Sequence, residues 1–216
     1  MKTAILFDLD GTLLDTLTDL YHSVNYTLAQ FGLPERTREQ VRWAVGGGAL
    51  QLLALSLPGL SGDPEAENLL PVYQAHYAQH CQDNTAPYPG VLELLNTLAQ
   101  RYPLGIVSNK PDAATKTLCA QFFPGIYALG QRADIPKKPA PDMLIKAMAD
   151  LGVERCIYVG DSETDVEVAR NASVPGICVL WGFRDRELLE EAGATHFCTS
   201  TQQLLDLICQ LTEEGN

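Results

Sequence analysis

Apolar and polar positions along this chain fall into two regimes. Ala4-Ile5-Leu6-Phe7 is an unbroken apolar run that stops at Asp8-Leu9-Asp10-Gly11-Thr12. A short apolar run bounded by a turn signal predicts a fully buried parallel strand. From Asp15 to Phe31 the spacing of Leu17, Leu20, Tyr21, Val24, Leu28 and Phe31 is helical, and Gly32-Leu33-Pro34 ends that helix. Thr37-Arg38-Glu39-Gln40 reads as a capping box, with a hydroxyl at the N-cap and Gln40 reaching back. The short helix it opens stops at Gly46-Gly47-Gly48. Further helices are predicted over Ala49 to Leu57, broken by Pro58-Gly59, and over Pro64 to Gln82, where Pro71 must start, kink or split the helix. No strand signal appears between Asp15 and Pro87.

From Pro87-Tyr88-Pro89-Gly90 onward strands and helices alternate. Helices are predicted over Val91 to Arg101, Asp112 to Phe122, Pro141 to Leu151, Ser162 to Ala172, Arg186 to Ala192 and Gln202 to Thr212. Between them lie strands at Leu104 to Ser108, Ile126 to Leu129, Cys156 to Val159 and Gly176 to Leu180, with a weak edge strand at His196 to Cys198. This alternation predicts an α/β fold, a parallel sheet with helices on both faces. The expected organisation is a core built from residues 1–14 and 87–216, with residues 15–86 as a helical insertion. No internal repeat, linker or low-complexity tract interrupts it.

Composition narrows the function classes. The 216 residues suffice for a core domain with a smaller insertion, and 46% hydrophobic with 19% charged residues is ordinary for a soluble globular protein. A formal net charge of -12 makes duplex DNA, RNA and anionic membranes poor partners. The same charge repels an anionic substrate, so any phosphate site needs local positive charge. The six cysteines show no C-x-x-C spacing, and free thiols in a reducing cytoplasm are expected. No apolar run reaches the roughly 18 residues of a membrane-spanning helix.

Asp8 and Asp10 sit at the carboxyl end of a buried strand, where open α/β sheets place their ligands. Residues at i and i+2 share a face while the chain stays extended. The pattern points to a carboxylate site for a hard cation and a phosphorylated substrate. Elsewhere, Ser108-Asn109, Lys137-Lys138-Pro139 and Gly160-Asp161-Ser162-Glu163-Thr164-Asp165 each have an ordinary explanation alone: helix caps, a solvated lysine pair, a capped helix start. Their combination is more informative. Three apolar strands end in polar residues, and a lysine lies between the second and third.

In that order, Asp8-Leu9-Asp10-Gly11-Thr12, Ser108-Asn109, Lys138 and Gly160 to Asp165 resemble the four motifs of the haloacid dehalogenase-like hydrolase superfamily. The helical block resembles the cap that the superfamily inserts after the first motif. Ala44-Val45-Gly46-Gly47-Gly48-Ala49, Tyr88-Pro89-Gly90-Val91 and Trp181-Gly182-Phe183 look most like its phosphoglycolate phosphatase branch. The resemblance implies a Rossmann-like three-layer core with a mostly parallel sheet. It further implies a cytoplasmic, Mg²⁺-dependent phosphatase acting on a small phosphorylated metabolite, with 2-phosphoglycolate favoured, through an aspartyl-phosphate intermediate.

By position, the resemblance makes Asp8 the nucleophile and Asp10 the acid and base that protonates the leaving alcohol and then deprotonates water. Ser108 would bond the phosphoryl group, and Lys138 would balance its charge. Asp8, Asp161 and the backbone carbonyl of Asp10 would hold Mg²⁺, with Asp165 supporting the metal's waters or holding Lys138. If Asp10 serves both ways, the chain turns there and strand alternation ends near Asp8. Asn109 is expected at the phosphate, and Thr12 is expected either to bond the phosphate or to stabilise the turn. Gly46, Gly47 and Gly48 are expected to form a substrate-facing loop, or else a plain helix–helix turn. Tyr21 and Trp43 are expected in the core of the helical bundle.

The physics asks for these residue types. Like unit charges 4 Å apart repel by about 4 kcal/mol at an effective dielectric near 20, and a dianion roughly doubles that. A divalent cation plus Lys138 is of the size to offset it, and Mg²⁺ favours one or two carboxylates with a phosphate oxygen. Asp10 argues against a true dehalogenase, which lacks that carboxylate. A sugar-phosphate mutase of the β-phosphoglucomutase type shares the four motifs, and a catalytically silent protein that binds a phosphorylated ligand is the alternative outside the enzymes.

Overall fold

In the computed structural model, which describes residues 2–59 and 63–214, the first apolar run is strand β1 (Thr3–Phe7). Ile5 and Phe7 enter one core and Ala4 and Leu6 another, all with no exposed surface. Burial on both faces is why the run is continuously apolar. Each of its larger side chains contributes about 1.5–3 kcal/mol by leaving water.

The chain then makes strand β2 (Leu14–Asp15) and four helices, α1 (Leu17–Gln30), α2 (Arg38–Ala44), α3 (Ala49–Ser56) and α4 (Asp63–His80), before strand β3 (Ala86–Pro87). The four helices pack on one another in turn, α1 against both α2 and α4, and α3 against α2 and α4. The capping box of α2 has both its halves: Thr37 Oγ1 accepts from Gln40 N at 3.2 Å, and Gln40 Oε1 accepts from Thr37 N at 2.9 Å. Helix α4 runs through Pro71, which neither starts nor splits it, at the expense of one backbone hydrogen bond. One expectation needs correction: β2 pairs antiparallel with β3, a two-residue ribbon that joins the chain's entry to the helical block with its exit. Two residues are too few for any periodicity to show.

The remainder alternates as expected: α5 (Val91–Ala99), β4 (Leu104–Pro111), α6 (Asp112–Phe122), β5 (Tyr127–Gln131), α7 (Asp142–Asp150), β6 (Arg155–Gly160), α8 (Glu163–Asn171), β7 (Gly176–Val179), α9 (Arg186–Glu191), β8 (Phe197–Cys198) and α10 (Thr201–Glu214). The sheet order is β5-β4-β1-β6-β7-β8, and every pairing in it is parallel. Leu94 and Leu98 of α5 and Leu204 and Ile208 of α10 pack with Ile5 and Phe7, while Leu144 of α7 and Val168 of α8 pack with Ala4 and Leu6. Helix, sheet and helix thus make three layers.

Strand β1 lies between β4 and β6, so the strand order reverses beside it. The crevice at its carboxyl end is the switch point where such sheets bind ligands. All six cysteines are free, and among the described residues no helix is long and apolar enough to cross a membrane.

Candidate active site

The strand ends create the site. Asp8 N still donates to Val159 of β6 at 2.8 Å, but the chain turns at once, with Leu13 N and Leu14 N both donating to Leu9 O at 3.0 Å. Gly11 sits at φ +81°, and a Cβ there would lie 2.2 Å from Asp161 Oδ2, so the turn requires glycine. Strand alternation therefore ends at Asp8, and the two aspartates part. Asp8 faces Lys138, with Oδ1 and Nζ 3.0 Å apart. Asp10 faces Lys110, whose ammonium donates to its two carboxylate oxygens at 2.8 and 3.0 Å.

At the end of β6, Asp165 is anchored on both oxygens. Oδ2 accepts from Asp161 N, Ser162 N and Ser162 Oγ at 3.1, 3.0 and 2.6 Å, and Oδ1 accepts from Lys138 Nζ at 2.8 Å and Tyr158 OH at 3.1 Å. Burial alone would raise its carboxyl, but the Lys138 charge and these bonds outweigh that and hold it below the ordinary value. Burial would likewise neutralise Lys138, yet Asp165 and Asp8 keep it charged and raise its pKa. Asp161 Oδ1 accepts from the Thr12 hydroxyl at 2.9 Å and Oδ2 from Phe183 N at 2.7 Å.

For the other two carboxylates the partners fall short of the cost of burial. Burial pushes Asp8 up to about 6; Lys138 opposes this, and Asp165 and Asp10 add to it. Burial, with the charges of Asp165 and Asp8, raises Asp161 well above the ordinary carboxylate range. One oxygen from each of Asp8, Asp161 and Asp165 lies within 4.8 Å of the others. Both oxygens of Asp165 accept several hydrogen bonds, and each oxygen of Asp161 accepts one. Asp8 Oδ1, in contrast, is buried and accepts no hydrogen bond, its Lys138 contact being an ion pair without hydrogen-bond geometry. An orphaned buried carboxylate oxygen beside a second carboxylate fits a hard divalent cation, which takes oxygen donors.

Strand β4 runs three residues past its expected end, through Asn109 to Pro111. Asn109 Nδ2 donates to Gly46 O at 3.1 Å and Lys138 O at 2.9 Å, joining three segments of the site. Ser108 Oγ accepts from Lys110 N at 3.3 Å. A cleft with about 560 Å³ of empty space, part of it open to solvent, is lined by Asp8, Asp10, Ser108, Asn109 and Asp161 on one side. Gly46, Gly48, Leu52, Tyr73 and Tyr77 of the helical block line the other.

Several expected positions behave differently. Gly47 does not line the cleft; its carbonyl accepts from Lys137 Nζ at 2.6 Å. Thr12 is buried and spends its hydroxyl on Asp161 rather than facing the cleft. Trp43 is 40% exposed rather than a core residue, held by Glu39 at its Nε1 and flanked by the guanidinium groups of Arg42 and Arg184. Tyr21 packs against the core with its hydroxyl on Glu35.

Sequence reasoning missed Lys110, Arg42 and Arg184, and it named Phe183 only within the Trp181-Gly182-Phe183 resemblance, without a role. Arg184 donates to the carbonyls of Arg42, Trp43 and Val45 at 3.1, 3.2 and 2.7 Å, and to Glu163 Oε2 at 2.8 Å. Arg42 donates in return to Phe183 O at 2.7 Å. Lys110 directly follows Ser108-Asn109 and Arg184 directly follows Trp181-Gly182-Phe183, so adjacency to a motif was the signal for both.

Residues 5–179 match the family described as haloacid dehalogenase-like hydrolase. A phosphoglycolate phosphatase of Xanthomonas campestris pv. campestris is 35% identical over 187 residues, covering 84% of each chain. An N-acetylmuramic acid 6-phosphate phosphatase of Pseudomonas aeruginosa is 34% identical over 190 residues, 83% of this chain and 82% of that one. A crystal structure from Lactobacillus delbrueckii subsp. bulgaricus, given a provisional phosphoglycolate phosphatase name, superposes with a TM-score of 0.89 at 36% identity. It covers 96% of this chain and 99% of that one.

Proposed function

This chain belongs to the haloacid dehalogenase-like hydrolase family, and we propose that it is a Mg²⁺-dependent phosphatase for a small phosphomonoester, 2-phosphoglycolate foremost. The observation that carries the reading is Asp8 Oδ1: buried, without a hydrogen bond, beside a buried ammonium and facing a second carboxylate.

In this reading Asp8 attacks phosphorus, forming an acyl–phosphate bond as the ester P–O bond breaks. Asp10 gives its proton to the departing alkoxide, then takes one from the water that cleaves the acyl phosphate. Release of inorganic phosphate returns Asp8 as a carboxylate. Lys138 stays charged between Asp8 and Asp165 and offsets the phosphoryl charge, while the Ser108 hydroxyl and the N–H groups at the starts of α6 and α8 donate to its oxygens. A divalent cation held by Asp8, Asp161 and the Asp10 carbonyl would supply the remaining positive charge.

Residues 15–86 act as a cap that closes over the strand ends, which limits the substrate to small molecules. The similarity to phosphoglycolate and N-acetylmuramic acid 6-phosphate phosphatases is nearly equal. What supports the smaller ester is the stretch of wall formed by Leu20, Leu52 and Ala49, which offers a hydroxyl-rich sugar no partners. The test is phosphate release with Mg²⁺ from 2-phosphoglycolate, N-acetylmuramic acid 6-phosphate and β-glucose 1-phosphate. The highest kcat/KM is expected on 2-phosphoglycolate. Conversion of β-glucose 1-phosphate to its 6-phosphate would support a mutase, and no turnover of any ester would support a binding protein.

A further inference from the structure

Tyr77 projects from α4 with its hydroxyl buried and without a hydrogen-bond partner, although the residue is only 3% exposed and lines the cleft. A buried hydroxyl left unpaired costs about 1–3 kcal/mol, so folding alone gives no reason to keep it. Its ring lies beneath Lys110, the ammonium 4.6 Å from the ring centroid. Lys110 is itself 5% exposed, and of its three donors two directions go to Asp10. Of the two cations lining the cleft, Arg184 has Nε, Nη1 and Nη2 all committed to Glu163 and the carbonyls at the end of α2. Arg184 thus spends four of its five donors holding the helical block, whereas Lys110 keeps one of three beside the unpaired Tyr77 hydroxyl. Leu20, Leu52 and Tyr73 line the cleft with the pair, and the acid in contact with Lys110 is Asp10, so an anionic group placed there must be compensated by Lys110 and Tyr77 themselves.

We propose that Lys110 and Tyr77 form the subsite for a carboxylate on the leaving group of the substrate, and thereby select phosphomonoesters of small 2-hydroxy acids. A carboxylate has two oxygens that one ammonium N–H and one phenol O–H satisfy together. Lys110 then stands between that carboxylate and Asp10, so it screens two negative groups that would otherwise repel across the cleft. The same contact sets Asp10 beside the ester oxygen it protonates. The inference rests on the phosphatase reading above and names its substrate class.

The test compares 2-phosphoglycolate with 2-hydroxyethyl phosphate, which carries a neutral hydroxyl where the former has its carboxylate, in wild type, Tyr77→Phe, Lys110→Met and Lys110→Arg with Mg²⁺. Wild type is expected to favour 2-phosphoglycolate in kcat/KM. Tyr77→Phe is expected to lose at least tenfold more on 2-phosphoglycolate than on 2-hydroxyethyl phosphate, chiefly through KM, while its Tm holds or rises because the deleted hydroxyl had no partner. Lys110→Met is expected to weaken turnover of both esters through Asp10 but to erase the preference, and Lys110→Arg to restore part of it. An unchanged preference in Tyr77→Phe and Lys110→Met overturns the subsite while the phosphatase reading stands. A wild type that turns over both esters without preference does the same. A wild type that hydrolyses no phosphomonoester overturns both.

Discussion

The backbone N–H of Phe183 donates to Asp161 Oδ2 at 2.7 Å. The carbonyl of the same residue accepts from Arg42 Nη1, also at 2.7 Å, so one loop residue ties the helical block to a carboxylate at the proposed cation site. Arg184, the next residue, reinforces the tie with three bonds to the carbonyls that end α2. Among the described residues, only Arg42 O of those carbonyls also accepts a backbone bond, from Val45 N at 3.4 Å, and a guanidinium fork suits the set as a lysine would not. Placement of the helical block and of Asp161 are thereby linked.

Arg184→Met removes these bonds and leaves Glu163 unpaired. We expect a stability loss of about 2 kcal/mol by urea unfolding and a roughly tenfold rise in KM, because the block no longer closes squarely on the strand ends. Arg184→Lys should recover little of either. Unchanged KM with lowered stability would confine Arg184 to a structural role.

Lys138→Met strips the only ammonium in contact with Asp8 among the described residues and leaves Asp165 without its cation. Breaking a buried ion pair from one side typically costs about 3–5 kcal/mol. We expect a loss of that order in chemical unfolding together with loss of turnover.

Asp10→Asn cannot protonate an alkoxide. Its turnover of 2-phosphoglycolate is expected to fall about 10²–10⁴-fold, the usual contribution of a general acid or base. The fall should be much smaller for the first half-reaction of p-nitrophenyl phosphate, whose leaving group needs no proton. Mass spectrometry after acid quench should then find the phosphoryl group on the peptide carrying Asp8. An equal fall on both esters would remove Asp10 from the acid role.

Asp8 also makes a prediction about pH. Its carboxyl is raised to about 6 in the folded, cation-free chain from 3.8 when free of these neighbours. Between those values the folded chain holds a proton that the unfolded chain has lost, so stability falls as pH rises through the window. Above about 6 the full penalty, on the order of 3 kcal/mol, is present. In chelator, Asp8→Asn should therefore unfold at a higher temperature than wild type at pH 7, with the gap closing toward pH 4. Mg²⁺ should narrow the gap at pH 7 by stabilising wild type. A gap that does not change with pH would contradict the burial of an Asp8 charge that Lys138 only partly compensates.

What the sequence disclosed follows from how each feature is encoded. β1 was legible because a strand buried on both faces is a contiguous apolar run, and Asp8 and Asp161 because each directly follows such a run. Lys138 was reached only through the order of the motifs, since a lysine pair beside proline carries no local sign of being 1% exposed. Trp43 was misplaced, and the partner of Thr12 was not foreseen, for a common reason. Their surroundings are set by Asp161 and Arg184, more than a hundred residues away, and no local pattern carries that information. The β2–β3 ribbon was too short to leave a pattern, and Tyr77 looked like any aromatic on a helix until its hydroxyl was found unpaired.

The central claim is that Asp8 is the nucleophile of a phosphatase, and the most direct measurement is phosphate release from 2-phosphoglycolate with Mg²⁺ by wild type and by Asp8→Asn, each first shown to be folded by circular dichroism. The account predicts Mg²⁺-dependent release by wild type and none above background by the variant. Turnover retained by folded Asp8→Asn would contradict it.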